Sequence, residues 1–229
     1  MTFAAWILAS LALAQATLGP VPAGALRVYL VRHGQSFSNL EPAPDLPADQ
    51  LDRLTDLGHE QSRRAGAALR DRGVALVLSS PAGRAKATAE EIRAVLSAPP
   101  VPVEPRLRPL ALGRSADGKP LDWDRRIAEW KAGRDPTPDG GESMEQVGQR
   151  VHDLLRSLAR ERAGRSLVLV THSEVIGALV GRIEGTPPAK RYPPQAKNGS
   201  ITAVEIGGDG TVRLLFANQA PAEAPAAAH

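Results

Sequence analysis

The sequence predicts an α/β fold, a three-layer sandwich whose mainly parallel central sheet is flanked by helices. Three features lead to this expectation. Apolar runs of strand length, "LRVYLV", "VALVLSS" and "SLVLVT", lack polar alternation, as strands buried on both faces do. Amphipathic stretches with helical spacing lie between them. Strand and helix alternate without a break in composition, the pattern of parallel strands joined by helical crossovers. A chain of 229 residues with 42% hydrophobic content suits one domain with a substantial core. Only 3% of residues are aromatic and alanine is frequent, so that core is expected to be aliphatic.

Residues 1–16 hold the uncharged apolar run "FAAWILASLALAQA", which ends in Ala14-Gln15-Ala16, an A-x-A cleavage pattern, and is short for a membrane span. A signal peptide is expected, its one departure being the lack of a positive charge in the first three residues. The other readings are an uncleaved anchor or a misassigned start. Export to a periplasmic or extracellular compartment follows, with no stable membrane insertion after cleavage. A cytoplasmic location follows if the segment is not a signal. Residues 17–26 read as a linker, residues 27–216 as the folded domain, and residues 217–229, rich in Ala and Pro, as a disordered tail.

The first strand is "LRVYLV", followed by a loop rich in Pro and Asp over residues 41–52. "TDLGHEQSRRAGAALRDRG" reads as a helix ending at Gly73, and "VALVLSS" as the second strand. Pro81 stands where a first helical turn is expected, and "GRAKATAEEIRAVL" continues that helix. "VPVEP" reads as a short edge strand and "WDRRIAEWKAG" as a short helix. Its Trp123 and Trp130, seven residues apart, suit either a packing stripe or the lining of an entrance. In "ESMEQVGQRVHDLLRSLARERAG", Ser143 and Gln146 form a capping-box pattern, and Met144, Val147, Val151, Leu154, Leu155 and Leu158 make a core-facing stripe. "SLVLVT" ends at Thr171-His172, with a helix from Glu174 to Ile183 after it. "SITAVEI", the "GGDG" turn and "TVRLLFAN" read as a terminal hairpin.

The chain has no cysteine, which excludes disulfides, thiolate nucleophiles and zinc–thiolate sites. The net charge is +3 and the pI about 9.6. There is no dense Lys/Arg run and no basic surface interleaved with aromatics, so nucleic acid is not an expected partner. Solubility and the binding of a small anion are the readings of this charge. Nothing in the sequence fixes the oligomeric state.

In such sheets ligands bind beyond the carboxyl ends of the strands. His33 and His172 each sit at such an end, Arg32 precedes the first, and Arg84 follows the strand end "SSP". Singly, a histidine after a strand is ordinarily a polar loop residue and an arginine a surface charge. Together they describe an oxyanion pocket, because guanidinium forks match phosphate oxygens and keep their charge. Gly34 is expected to let the backbone approach the ligand closely. Imidazole attacks phosphorus when its attacking nitrogen is unprotonated and the other nitrogen is held by a hydrogen bond. Surrounding cations then stabilise the transferring group. No cofactor and no metal are expected, since no carboxylate cluster is spaced to hold one.

The ordered motifs resemble the histidine phosphatase superfamily, also called phosphoglycerate mutase-like. They are "VRHGQSFSN", "LTDLGHEQS", "SSPAGRAKATA", "GGESMEQVGQRV", "LVLVTHSEVI" and "KNGSITAVEI". The resemblance implies that fold, with His33 as the phosphorylated nucleophile and His172 as the transition-state stabiliser. It also implies Arg32, Arg84, Asn39 and Gly34 around the phosphate. The departures are Gln35 for Glu, Ala87 for a common Gln, Ser173-Glu174 for two small residues, and Pro109 where the family carries a proton-donating Glu. Glu174 is the first candidate replacement, with Glu104, Asp117 and Glu142 as others. The implied activity is that of a metal-independent phosphomonoester hydrolase working through a phosphohistidine on His33, with a small-molecule phosphomonoester as partner. Alternatives are a phosphate- or sugar-phosphate-binding pseudoenzyme without turnover, a phosphohistidine phosphatase, or a mutase. The substrate is not legible in the loops at residues 41–52 and 114–138.

Overall fold

A computed structural model describes residues 18–192 and 196–221; the expected signal segment, 1–16, and residues 222–229 of the expected tail lie outside them. Five strands form one sheet: β1 (Leu26–Arg32), β2 (Val74–Ser79), β3 (Ser166–Thr171), β4 (Ile201–Ile206) and β5 (Val212–Gln219). Their order is β2-β3-β1-β4-β5. The strands β2, β3 and β1 run parallel, whereas β4 and β5 are antiparallel, so the sheet is mixed. The helices are α1 (Ala48–Leu51), α2 (Asp56–Ala68), α3 (Gly83–Leu96), α4 (Trp123–Lys131), α5 (Met144–Arg162) and α6 (Ser173–Ile183).

Both faces of the sheet are covered, which is why its central strands read as unbroken apolar runs. Along β1, Leu26, Val28 and Leu30 join the α5/α6 core, which includes Val147, Val151, Leu154, Val175 and Leu179. Tyr29 and Val31 point the other way, with Ala65, Ala85, Ala89 and Ile92 of α2 and α3. The expected stripe of α5 is buried from Met144 to Leu158, and Ser143 and Gln146 close the capping box. Small residues set the spacing of α2 and α3: a Cβ on Gly66 would lie 2.9 Å from Cβ of Val95.

Several boundaries differ from expectation. The helix expected to run to Gly73 stops at Ala68, and turns carry the chain to Gly73, whose φ of 60° suits glycine. Pro81 lies outside α3, whose first helical residue is Gly83. "VPVEP" forms no strand; Val103 makes one isolated bridge to Ser79, and Glu104 then caps a 3-10 turn. β2 is only half buried because it is a sheet edge. β1 begins at Leu26, inside the expected linker, and β5 runs to Gln219, beyond the expected domain end. Ahead of β1, the carbonyls of Gly19 (2.6 Å) and Pro20 (3.4 Å) accept from Arg27.

One close approach fixes the loop after β1. A Cβ on Gly34 would lie 2.2 Å from the Gly58 carbonyl oxygen, and one on Gly58 2.0 Å from that of Gln35. Helix propensity alone favours Ala over Gly at position 58 by about 1 kcal/mol. A clash with backbone oxygen cannot be relieved by a rotamer change and outweighs that gain. Gly58→Ala is therefore expected to destabilise the protein by about 1–3 kcal/mol in urea unfolding, whereas an unchanged or raised midpoint would show that this approach is not a constraint.

Candidate active site

The parallel register builds the site. Arg32 pairs with Thr171, and Ser79 with Val170. The next residue on each strand continues the ladder: His33 N–H donates to the Thr171 carbonyl (3.0 Å) and Ser80 N–H to the Val170 carbonyl (2.9 Å). His33, His172 and Ser80 therefore emerge side by side. Arg84, in the first turn of α3, reaches the same edge.

The hydrogen bonds define the imidazoles. His33 Nδ1 lies 2.8 Å from the Gly34 carbonyl, an acceptor, so Nδ1 carries the proton and Nε2 presents its lone pair. Arg84 Nε–H donates to that Nε2 (3.1 Å), and its Nη2 lies 3.3 Å from His172 Nδ1. His172 Nε2 is 2.8 Å from Ser80 Oγ, which fixes the second ring. The ring centroids of the two histidines are 5.2 Å apart.

Arg84 is itself held by Asp52, at the end of the Pro- and Asp-rich loop. Asp52 accepts from Arg84 Nη1 (2.5 Å) and from the Gly83 N–H (2.6 Å). The N-cap residue of α3 is Ala82, which has no side-chain cap of its own. That missing cap was the available signal for an external carboxylate. Arg32 lies at the other flank, donating to the Ala196 carbonyl (2.9 Å), while its Nε is buried without a partner among the described residues. Asn198, singled out only as part of a motif, bridges the His33 carbonyl (3.0 Å) and Asn39 Oδ1 (3.2 Å).

Arg32, His33, Asn39, Arg84, His172 and Glu174 line one cavity of about 460 Å³, with Pro109 on its wall. Gly34 is not among the lining residues: its lack of a side chain serves the contact with Gly58, not a ligand, which corrects the expectation for it. Of the four candidate carboxylates, Glu174 reaches the cavity. It is 7% exposed, its Oε1 accepts from the Leu110 N–H (3.3 Å), and Ser173 Oγ donates to its Oε2 (3.3 Å). Glu104 is tied to Arg106 (2.8 Å), whose hydrogen bond holds its carboxyl below the usual range. Asp117 lies in an exposed turn with Ser115 and Lys119, and the Ser115 hydrogen bond lowers it likewise. Glu142 is committed to Arg150 and Arg108 (both 2.8 Å). The two tryptophans divide: Trp123 lines the cavity, whereas Trp130 is buried behind it.

Burial and the neighbouring arginines keep both imidazoles neutral. His33 is pushed down to about 3, chiefly by burial and then by Arg84. His172 is held well below the ordinary value by burial, His33, Arg84, Arg32 and Arg150. Burial lowers Arg32, partly opposed by Glu174.

The sequence profile of the histidine phosphatase superfamily (branch 1) matches residues 28–219, and the chain belongs to this family. It is similar to the probable phosphoglycerate mutase GpmB of Salmonella paratyphi B, with 33% identity over 188 residues that make up 79% of this chain and 85% of that relative. Among solved structures it resembles YhfR of Bacillus stearothermophilus, with a TM-score of 0.68, 28% identity, and coverage of 85% of this chain and 97% of that one. It also resembles a mycobacterial glucosyl-3-phosphoglycerate phosphatase in complex with VO3, with a TM-score of 0.65, 26% identity, and coverage of 86% and 99%.

The neutral imidazoles make stability depend on pH. The unfolded chain protonates His33 near 6.5, the folded protein only near about 3. Between those values the unfolded state binds more protons, so this contribution is lost as pH falls from about 6.5 towards about 3 and is constant above. Unfolding free energies measured from neutral to acid pH should fall for the parent protein and less steeply for His33→Gln, by at most about 1.4 kcal/mol per pH unit. Parallel slopes would contradict a buried, neutral His33.

Proposed function

We propose that the chain is a phosphomonoester hydrolase that works through a phosphohistidine on His33. The observation that carries this reading is the orientation of His33: Nδ1–H is fixed on the Gly34 carbonyl, and the Nε2 lone pair faces the cavity beside Arg84 and His172. A phosphoryl group entering here takes over the Arg84 fork from the two imidazoles and engages the unpartnered Nε of Arg32. The Nε2 lone pair attacks phosphorus as the bond to the ester oxygen breaks. Glu174 delivers a proton to the leaving oxygen. Water then attacks the phosphohistidine, Glu174 takes up its proton, and phosphate leaves as Nε2 regains its lone pair. Arg32, Arg84 and His172 stabilise the transferring charge in both steps. The solved complex of a mycobacterial phosphatase relative with VO3, a phosphate-like oxyanion, supports an oxyanion as the ligand of this family's pocket.

Pro109 supports a second reading, a phosphate-binding protein without turnover, because proline cannot supply the proton. The carboxyl of Glu174 in the same cavity favours the enzyme. Leaving-group acidity separates the roles. His33→Ala should lower hydrolysis of p-nitrophenyl phosphate by roughly a thousandfold or more. In kcat/KM, which reports transfer to His33 and not the later attack of water, Glu174→Gln should affect that acidic leaving group little, yet slow an alkyl phosphate by about a hundredfold or more. Robust hydrolysis by His33→Ala would refute the mechanism, and equal Glu174→Gln effects on kcat/KM of both esters would remove Glu174 as the acid.

The depressed pKa of His33 places the acid limb low. Corrected for the ionisation of the substrate, kcat/KM for p-nitrophenyl phosphate should persist down to about pH 4. A limb near the ordinary histidine value would mean that the free enzyme holds His33 in a far wetter site.

A further inference from the structure

The cavity has a second half beyond the phosphate cradle, made of Pro109, Leu110, Leu112, Trp123 and Tyr192. The whole chain has three Trp, two Tyr and three Phe. Two of those tryptophans and one tyrosine stack here, so the ring surface is not a by-product of an aromatic-rich core. Tyr192 lies over Trp130 with centroids 4.8 Å apart and planes 24° from parallel. Trp123 lies offset on Tyr192 at 6.5 Å and 23°. The buried end of the stack is anchored. Trp130 Nε1–H donates to Asp135 (3.0 Å), which also accepts the Met144 and Glu145 N–H groups at the start of α5, and the Arg126 guanidinium sits 5.0 Å from the Trp130 ring. The other end is open: Trp123 is 39% exposed at the cavity wall. A ligand ring placed there would extend a stack that is already rigid, at little cost in ordering the protein.

The charges in the cavity are unevenly placed. Among the described lining residues the cations are Arg32 and Arg84, and Arg84 is directed at the two imidazoles. Arg108 and Arg150 are engaged by Glu142. Burial, and after it the charges of Glu174 and Asp124, raise the Tyr192 phenol above its ordinary value. A second anionic group on a substrate, on the side away from its phosphate, finds no further guanidinium among the described lining residues.

From this juxtaposition we infer that the site selects phosphomonoesters whose alcohol portion is neutral and carries an aromatic ring, and gives no added binding to a carboxylate on the alcohol portion. The inference rests on the phosphatase reading of the same cavity. It sets this chain apart from relatives whose names refer to phosphoglycerate.

Benzyl phosphate, glycerol 3-phosphate and 3-phosphoglycerate all leave as alkoxides, so their comparison is not dominated by leaving-group acidity. Rates with these three esters are measured beside calorimetric binding of benzylphosphonate, glycerol 3-phosphate and 3-phosphoglycerate. Benzylphosphonate has no ester bond to cleave. The ring compound is expected to be favoured over glycerol 3-phosphate by about tenfold, and 3-phosphoglycerate to gain nothing over glycerol 3-phosphate. Trp123→Ala should shrink the benzyl-to-glycerol ratio by about tenfold, and Trp123→Phe should retain most of it. A preference for 3-phosphoglycerate, or an unchanged ratio in Trp123→Ala, overturns the inference. The expected order of binding without turnover of any ester supports the selectivity and overturns the phosphatase reading instead.

Discussion

The in-register parallel pairing of β2, β3 and β1 is the constraint on which the site depends. Hydrogen bonds between strand ends carry His33, His172 and Ser80 to one edge without help from their side chains. A slip of one residue would reverse the facing of each side chain on the slipped strand. The register is protected by the apolar content of both faces, since a slipped β1 would exchange Leu26, Val28 and Leu30 for Tyr29 and Val31 between two differently shaped cores. The aliphatic core thus places the imidazoles.

Placing two imidazoles and two guanidinium groups at a buried edge is electrostatically unfavourable, and the fold answers in two ways. The imidazoles stay neutral. Arg84 is compensated by Asp52, which also caps α3 through the Gly83 N–H. One carboxylate therefore fixes both the helix start and the guanidinium that meets the two rings. The buried Nε of Arg32 has no partner among the described residues, so an anion in the cavity would complete the charge balance rather than disturb it. Farther out, Glu142 ties Arg108 and Arg150 together and accepts from the Ala111 N–H (3.3 Å).

Pro109 and Glu174 are connected through one backbone group. Proline carries no side-chain acid, and the next residue, Leu110, donates its backbone N–H to Glu174 in the first turn of α6. The same segment contributes Leu110 and Leu112 to the cavity wall opposite the polar cradle. The backbone donor to Glu174 and the apolar cavity wall therefore come from adjacent residues of one loop.

The sequence determined the elements with strong periodicity and the imidazole and guanidinium groups that meet at the cavity. The stripe and capping box of α5, the buried runs of β1 and β3, and His33, His172, Arg32 and Arg84 were legible because hydrophobic spacing and side-chain chemistry are local properties. The end of α2 was misjudged because a run of good helix formers does not reveal where packing against α3 stops. Residues 101–105 gave no strand because their pairing ends at a single bridge with the edge strand β2. Gly34 was assigned to a ligand because sequence cannot show that Gly58 of α2 occupies the space beside it. Asp52, Asn198 and Ser80 gained their parts only from tertiary structure, since each acts through a partner distant in the chain. The choice of Glu174 over Glu104, Asp117 and Glu142 has the same origin. All four are carboxylates in sequence, and only the packing of α6 against the Pro109 loop decides which of them faces the cavity.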